Sequence, residues 1–340
     1  MADIMSLTMD ELKGAVAEAG EKAFRADQIF GWIHKKGAMS FEEMPNVPKK
    51  LKESLSLKYS FSKPEIAKRQ ISKDGTEKYL LQFEDGSMVE TVLMKYKYGY
   101  SQCISSQVGC RMGCSFCASG LNGLKRNLTA GEMLSEIYTI EACSGIKVSN
   151  VVIMGTGEPL DNFDNLVRFL TLVSDSSGRG IGGRQITVST CGLVPAIYEL
   201  AKLRFTCTLA LSLHAADQEK REKMMPVAKA YRIEETIKAM RYYANTTGRR
   251  VTFEYALIKN VNDSDTDAKN LASLIRGIPS LVNLIPVNPV VETGFLEPDA
   301  EGLYAFQKKL EKNHINVTIR RRMGRDIDGA CGQLREKYMS

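Results

Sequence analysis

The chain has 340 residues, 44% of them hydrophobic, and carries 46 Lys and Arg against 40 Asp and Glu, a net charge of +6. That is enough apolar material for a sizeable core, and the length suits one large domain with a small accessory one. No apolar run approaches twenty residues, which excludes a membrane-spanning helix, and the mild basic excess suits a polyanionic partner without identifying one.

The N-terminal stretch "MADIMSLTMDELKG" is acidic and helical in character, unlike a secretory signal, so the expected compartment is the cytoplasm. There, clustered cysteines bind metal or do chemistry more often than they form disulfides. The first sixty residues predict short amphipathic helices. "LTMDELKGAVAEAG" offers Thr8 as N-cap and Gly20 as a stop, "RADQIFGWIHKKG" ends at Gly37, and "VPKKLKESL" is a third. The period then changes to two: "KYLLQF", the turn "EDG" and "SMVETVLM" predict a β-hairpin near residues 78 to 94.

From residue 101, apolar strand runs alternate with helical stretches. The strand candidates are "SQCISS", "NVVIMG", "RQITVST", "CTLALSL", "VTFEYALI" and "VNLIPV", with "NVTIRR" later. This alternation signals a parallel sheet covered by helices, and six units fall short of a closed eight-unit barrel. The expected fold is α/β: a partial (β/α)6 barrel, with a small N-terminal helical accessory domain and a β-hairpin extension. The expected boundaries are 1–65 for the helical domain, 66–98 for the hairpin, 99–325 for the barrel and 326–340 for a C-terminal loop. "GTGEP", "STCG", "SLHA" and "NP" follow successive strands, so a site is expected at their C-terminal ends.

Four of the eight cysteines lie in "CISSQVGCRMGCSFCASG". Cys110, Cys114 and Cys117 form C-x3-C-x2-C directly after the first barrel strand. Three thiolates on one loop can converge on a soft metal centre and leave one coordination position open. A zinc loop is the plainer alternative, but no Cys/His pair follows at finger spacing.

With "GTGEP" downstream, C-x3-C-x-F-C resembles the radical S-adenosylmethionine superfamily signature. "LKRNLTAGE", "MGTGEPLDN", "VSTCGLVP", "LALSLHA", "NLIPVNP" and "DIDGACGQL" follow in order, and together they resemble the RlmN family of RNA adenine C2-methyltransferases. The resemblance implies a 4Fe-4S cluster, one per chain, on Cys110, Cys114 and Cys117. It implies S-adenosyl-L-methionine contacts at Gly157, Glu158, Ser189, Ser212, Leu213, His214 and Asn288. It further implies that Cys331 is methylated by one S-adenosylmethionine and that a second yields the radical which activates the S-methyl group. The resulting methylene adds to the adenine ring, and a Cys103–Cys331 disulfide then frees the methylated RNA. Cys103, seven residues before Cys110, is in this scheme a resolving thiol.

The proton acceptor of the family aligns with Glu90. Strand alternation puts Glu90 on one face with Met88, Val92 and Met94, so an apolar surround and a raised pKa are expected. Cys143, Cys191 and Cys207 are read as structural, buried thiols. "MKYKYGY", "GLKR", "RGIGGR" and "IRRRMGR" are candidate RNA contacts, with Tyr96, Tyr98 and Tyr100 available for stacking. The implied partners are 23S rRNA and tRNA, with an electron donor such as flavodoxin or ferredoxin and no membrane; a monomer is expected. Two alternatives stand beside this reading: a Cfr-type adenine C8 methyltransferase, and a non-catalytic metal-structured RNA-binding protein.

Overall fold

Runs of β-branched residues separated by helices can pair in parallel when each crossover helix covers the sheet it returns to. The computed structural model, which describes residues 1–288, 294–330 and 332–334, has this arrangement. The N-terminal segment starts with β1 (Ala2–Asp3), which pairs in parallel with β2 (Tyr59–Ser60). Between them lie α1 (Met9–Glu18), α2 (Phe24–Phe30) and α3 (Lys49–Ser56). Thr8 caps α1 in a reciprocal box with Glu11, which satisfies two otherwise unpaired backbone N–H groups. The chain widens into a π turn at Gly31–Lys35 before Gly37. Val16, Phe30, Ile33 and Leu51 from this segment join the same apolar core as Val151, Val188 and Leu209 of the sheet.

Ten strands form one sheet in sequence order: β3 (Glu65–Ile71), β4 (Glu77–Gln82), β5 (Met88–Tyr96), β6 (Gly99–Ile104), β9 (Val148–Ile153), β10 (Ile186–Thr190), β11 (Thr208–Ser212), β12 (Val251–Leu257), β13 (Ser280–Pro286) and β14 (Val317–Ile319). Between β6 and β9, β7 (Gln107–Gly109) and β8 (Leu124–Asn127) form a separate antiparallel pair. From β6 onward all neighbours run parallel, and β3 to β6 run antiparallel. The sheet stays open, with β3 and β14 at its edges, as expected of a partial barrel.

The expected hairpin extension is present as β4 and β5; a third strand, β3, joins it, and β5 pairs directly with β6, so the meander continues the barrel sheet. β3 was hidden because its residues alternate between exposed and half-buried, as an edge strand permits. At the other end "NVTIRR" supplies β14, a seventh parallel strand. Helices α4 (Ala130–Ser144), α5 (Phe163–Ser174), α6 (Val194–Lys202), α7 (Gln218–Met224), α8 (Val227–Ala230), α9 (Ile233–Thr247), α10 (Asp265–Leu274) and α11 (Ala300–Lys312) make or follow the crossovers.

Candidate active site

The cysteine loop is held at its base. The β7–β8 ladder closes it, and the Cys110 N–H donates to the Gly123 carbonyl at 3.0 Å. Gly109, at φ +76°, makes the closure possible, because a Cβ there would lie 2.0 Å from the Gly123 oxygen. On its far side the Ser115 N–H donates to the Met224 carbonyl at 2.9 Å, at the end of α7. Cys110, Cys114 and Cys117 all line one pocket at the C-terminal ends of the parallel strands. Burial pushes the Cys110 thiol up to about 11 and raises Cys114 as well, with each neighbouring thiolate adding to the shift.

Three soft donors and no histidine at the loop suit an iron–sulfur cluster. Among the described residues, no three His, Cys, Asp or Glu side chains gather tightly enough to hold one metal ion. A four-iron cluster takes each sulfur on a different iron, so its ligands stand apart in the way a single zinc's do not.

Gly157, Glu158, Ser189, Ser212, His214 and Asn288 line the same pocket as the three cysteines. Leu213 does not line it: its side chain is in the core, its N–H donates to the Glu254 carbonyl at 3.0 Å and its carbonyl accepts from the Ala215 N–H at 2.7 Å. The buried Glu158 carboxylate accepts from the Leu160 N–H at 3.0 Å and the Cys191 N–H at 2.7 Å. Burial raises its pKa and these hydrogen bonds oppose the rise. His214 has φ +57° and its Nδ1 accepts from the Ala256 N–H at 2.9 Å, which leaves the proton on Nε2. Burial lowers its pKa to about 3, so the ring is a neutral donor, set edge-on to Phe116 at 4.6 Å.

Sequence reasoning missed two polar groups in this pocket, Glu254 and Arg320. Glu254 accepts from Asn283 at 2.9 Å and lies 3.8 Å from Arg320, and burial raises its pKa. A lone glutamate inside the apolar strand "VTFEYALI" was the available signal.

Glu90 and Cys103 line neighbouring cavities rather than the cysteine pocket itself. Cys103, on β6, is paired with Val92 and shares its cavity with Met94, Tyr96, Arg321 and Ala330. Glu90 lines a third cavity with Met88, Ser119 and Lys125. Its surround is not all apolar. Lys78 Nζ stands 3.0 Å from the carboxylate, both side chains are below 10% exposed, and the same ammonium donates to the Asp328 carbonyl at 3.2 Å. Cross-strand register explains this: Leu80 faces Glu90 and Lys78 faces Val92, so Lys78 rises on the same side one step along.

Cys331 lies outside the described residues, while its flanks are placed. The Gly332 carbonyl accepts from the Ala118 N–H at 2.8 Å, and the Leu334 carbonyl from Ser119 Oγ at 2.9 Å. Upstream, Asp326 accepts from Ser72 Oγ at 2.5 Å, and Asp74 accepts from the Gly324 N–H at 3.0 Å. The loop that carries Cys331 is therefore tied both to the cluster-side loop and to the meander that carries Glu90.

The cysteines read as structural divide. Cys207 is buried against the Tyr243 hydroxyl at 3.4 Å, Cys143 is exposed at the end of α4, and Cys191 is buried and lines the cysteine pocket. The basic clusters divide too. Arg126 pairs with Asp85 and Glu132, Arg179 with Glu141, and Arg322 and Arg325 with Glu297. Tyr96 and Tyr98 stack at 5.0 Å with Tyr98 exposed, whereas Tyr100 packs against the core.

Residues 104–272 match the radical SAM superfamily, and residues 2–60 match the ribosomal RNA large subunit methyltransferase N-terminal domain. The chain is 55% identical to a probable dual-specificity RNA methyltransferase RlmN of Lachnospira eligens, over 100% of this chain and 97% of that protein. It is 53% identical to one of the same description from Lachnoclostridium phytofermentans, over 99% and 95%. The crystal structure of a radical SAM methyltransferase from Sphaerobacter thermophilus superposes with a TM-score of 0.94 at 42% identity, covering 98% of this chain and 99% of that one. Together with the pocket geometry, these matches show that the chain belongs to the RlmN family of radical SAM RNA methyltransferases.

Proposed function

We propose that the chain methylates C2 of an adenine in 23S rRNA and in tRNA, by way of a methyl group carried on Cys331. The observation that carries this reading is the single pocket lined by Cys110, Cys114 and Cys117 on one side and by Gly157, Ser189, Ser212, His214 and Asn288 on the other. The three cysteines would hold a 4Fe-4S cluster, which when bound supplies the electron that cleaves S-adenosylmethionine.

The remaining work falls to the chain. Gly157 lets the backbone approach the methionine moiety, and Glu158 offers a carboxylate to an ammonium. Ser189, Ser212, His214 and Asn288 provide polar contacts around the nucleoside, with Leu213 packed behind them. Glu90 takes the C2 proton, with Lys78 holding the carboxylate in place. Cys103 closes a disulfide onto Cys331 and so releases the product. The exposed Tyr98, stacked on Tyr96, offers a platform for an unpaired base, and the target adenine must leave its stack to reach the site. Residues 1–65 are the RNA-positioning segment in this reading. The reductant is a flavodoxin or ferredoxin, the working form is a monomer, and the compartment is the cytoplasm.

Anaerobically reconstituted protein, incubated with S-adenosylmethionine, reductant and either a 23S rRNA fragment or tRNA, tests the reading. Mass analysis of the nucleosides is expected to show adenine methylated at C2. Methylation at C8 would move the chain to the Cfr-type reaction, and absence of both iron uptake and methylation would leave only RNA binding.

A further inference from the structure

Arg221, on α7, heads the fully buried large side chains of the described residues, ahead of any tyrosine or phenylalanine. Its Nη2 donates to the Cys191 carbonyl at 2.7 Å and the Ser212 carbonyl at 3.4 Å, and its Nε donates to the Leu213 carbonyl at 3.3 Å. It therefore ties the loop after β10 to the end of β11, the two strand ends that supply Ser189, Ser212 and His214. The same helix ends at Met224, whose carbonyl receives the Ser115 N–H of the cysteine loop. The guanidinium thus braces the strand-end wall of the pocket, while the end of its own helix meets the cysteine loop.

Its charge is not balanced by this bracing. Among the described residues the buried Nη1 has no hydrogen-bond partner, and the guanidinium sits on Cys191, which lines the pocket together with Cys114, so that both sulfurs act on its charge. A buried guanidinium facing only carbonyls and thiols is costly, and an anion beside it removes that cost. Three thiolates on an oxidised four-iron core leave a net negative charge, which one added electron increases. Resting on the function proposed above, we infer that Arg221 is a positioning residue and counter-charge for the cluster: it fixes the two strand ends against the cysteine loop and favours the reduced cluster. The electron comes from the external one-electron donor, and no bond in the chain forms or breaks.

The test is a redox titration of the reconstituted full chain, followed by electron paramagnetic resonance of the reduced cluster. R221M is expected to lower the equilibrium constant for one-electron reduction at least tenfold, about 59 mV for such a couple. R221K, which keeps the charge but not the fork of donors, is expected to stay within about threefold of wild type while binding S-adenosylmethionine more weakly. R221Q takes the place of R221M if the latter does not fold. Neutral variants that load iron and sulfide and keep the wild-type potential overturn the inference. So does an R221K potential shifted as far as that of R221M, because lost geometry would then explain both. Wild-type protein that takes up no iron and sulfide overturns the cluster reading itself, an outcome distinct from a loaded wild type matched by a loaded R221M.

Discussion

Replacing Lys78 with methionine isolates the interaction that most separates the observed environment of Glu90 from the expected one. The two side chains are 9% and 6% exposed and 3.0 Å apart, so water cannot take over the role of the missing ammonium. Breaking a buried pair by removing one partner costs about 3–5 kcal/mol, because the remaining charge is left uncompensated. The link from Lys78 to the Asp328 carbonyl is lost as well. E90Q strands the ammonium and is expected to cost a similar amount. K78M/E90Q removes both charges, so its cost should fall below the sum of the singles, with a coupling of at least about 2 kcal/mol. Urea unfolding of the protein before cluster insertion, with wild type and the three variants compared at a common m-value, measures the cycle. If the two single costs simply add, the pair does not hold the carboxylate, and its geometry is incidental.

C331A is expected to yield no methylated RNA, whereas C103A is expected to leave RNA covalently attached to protein on a denaturing gel; free methylated RNA from C103A contradicts the resolving role. At Gly157, φ is +107° and an added Cβ would lie 2.6 Å from Gln107 Cβ, so G157A should cost about 1–3 kcal/mol and weaken S-adenosylmethionine binding by calorimetry. Burial lowers the His34 pKa to about 3 against an unfolded value of 6.5. The unfolded chain therefore binds the proton first, so this contribution is intact above pH 6.5 and is lost as pH falls toward 3. At pH 5 about 2 kcal/mol of it is gone, and H34Q should flatten the acid side of the stability curve; an unchanged slope places the acid sensitivity elsewhere.

The parallel strands were legible because their short β-branched runs differ sharply from the longer amphipathic helices between them. The cap at Thr8 was legible for a local reason, a hydroxyl three residues before a glutamate. What escaped depends on pairing between distant segments. Lys78 reads in sequence as a solvated strand start and becomes a buried partner only through the β4–β5 register. Arg320 reads as one of a basic run, yet its N–H joins the Leu284 carbonyl at 2.8 Å and its side chain turns into the pocket while Arg322 and Arg325 meet Glu297. Arg221 gave no signal within "DQEKREKMM", where charged residues surround it and its burial is set by α7 packing under the cysteine loop.

The meander's continuity with the barrel decides how Glu90 and Cys103, the proposed base and resolving thiol, are held. Val92 and Cys103 are direct cross-strand partners on β5 and β6, so their side chains share a face. Glu90 is two residues from Val92 on that same face, about 7 Å along the strand. Register, rather than a loop, thus sets the spacing of the two groups. A slip of one residue between β5 and β6 would send either Glu90 or Cys103 to the opposite face. Thr91 opposes such a slip: its hydroxyl donates to the Cys103 carbonyl at 2.8 Å and accepts from the Gln102 amide at 2.9 Å, both from the face that Glu90 does not use. In the proposed reaction the base and the thiol that meet one nucleobase are in this way built on paired backbone.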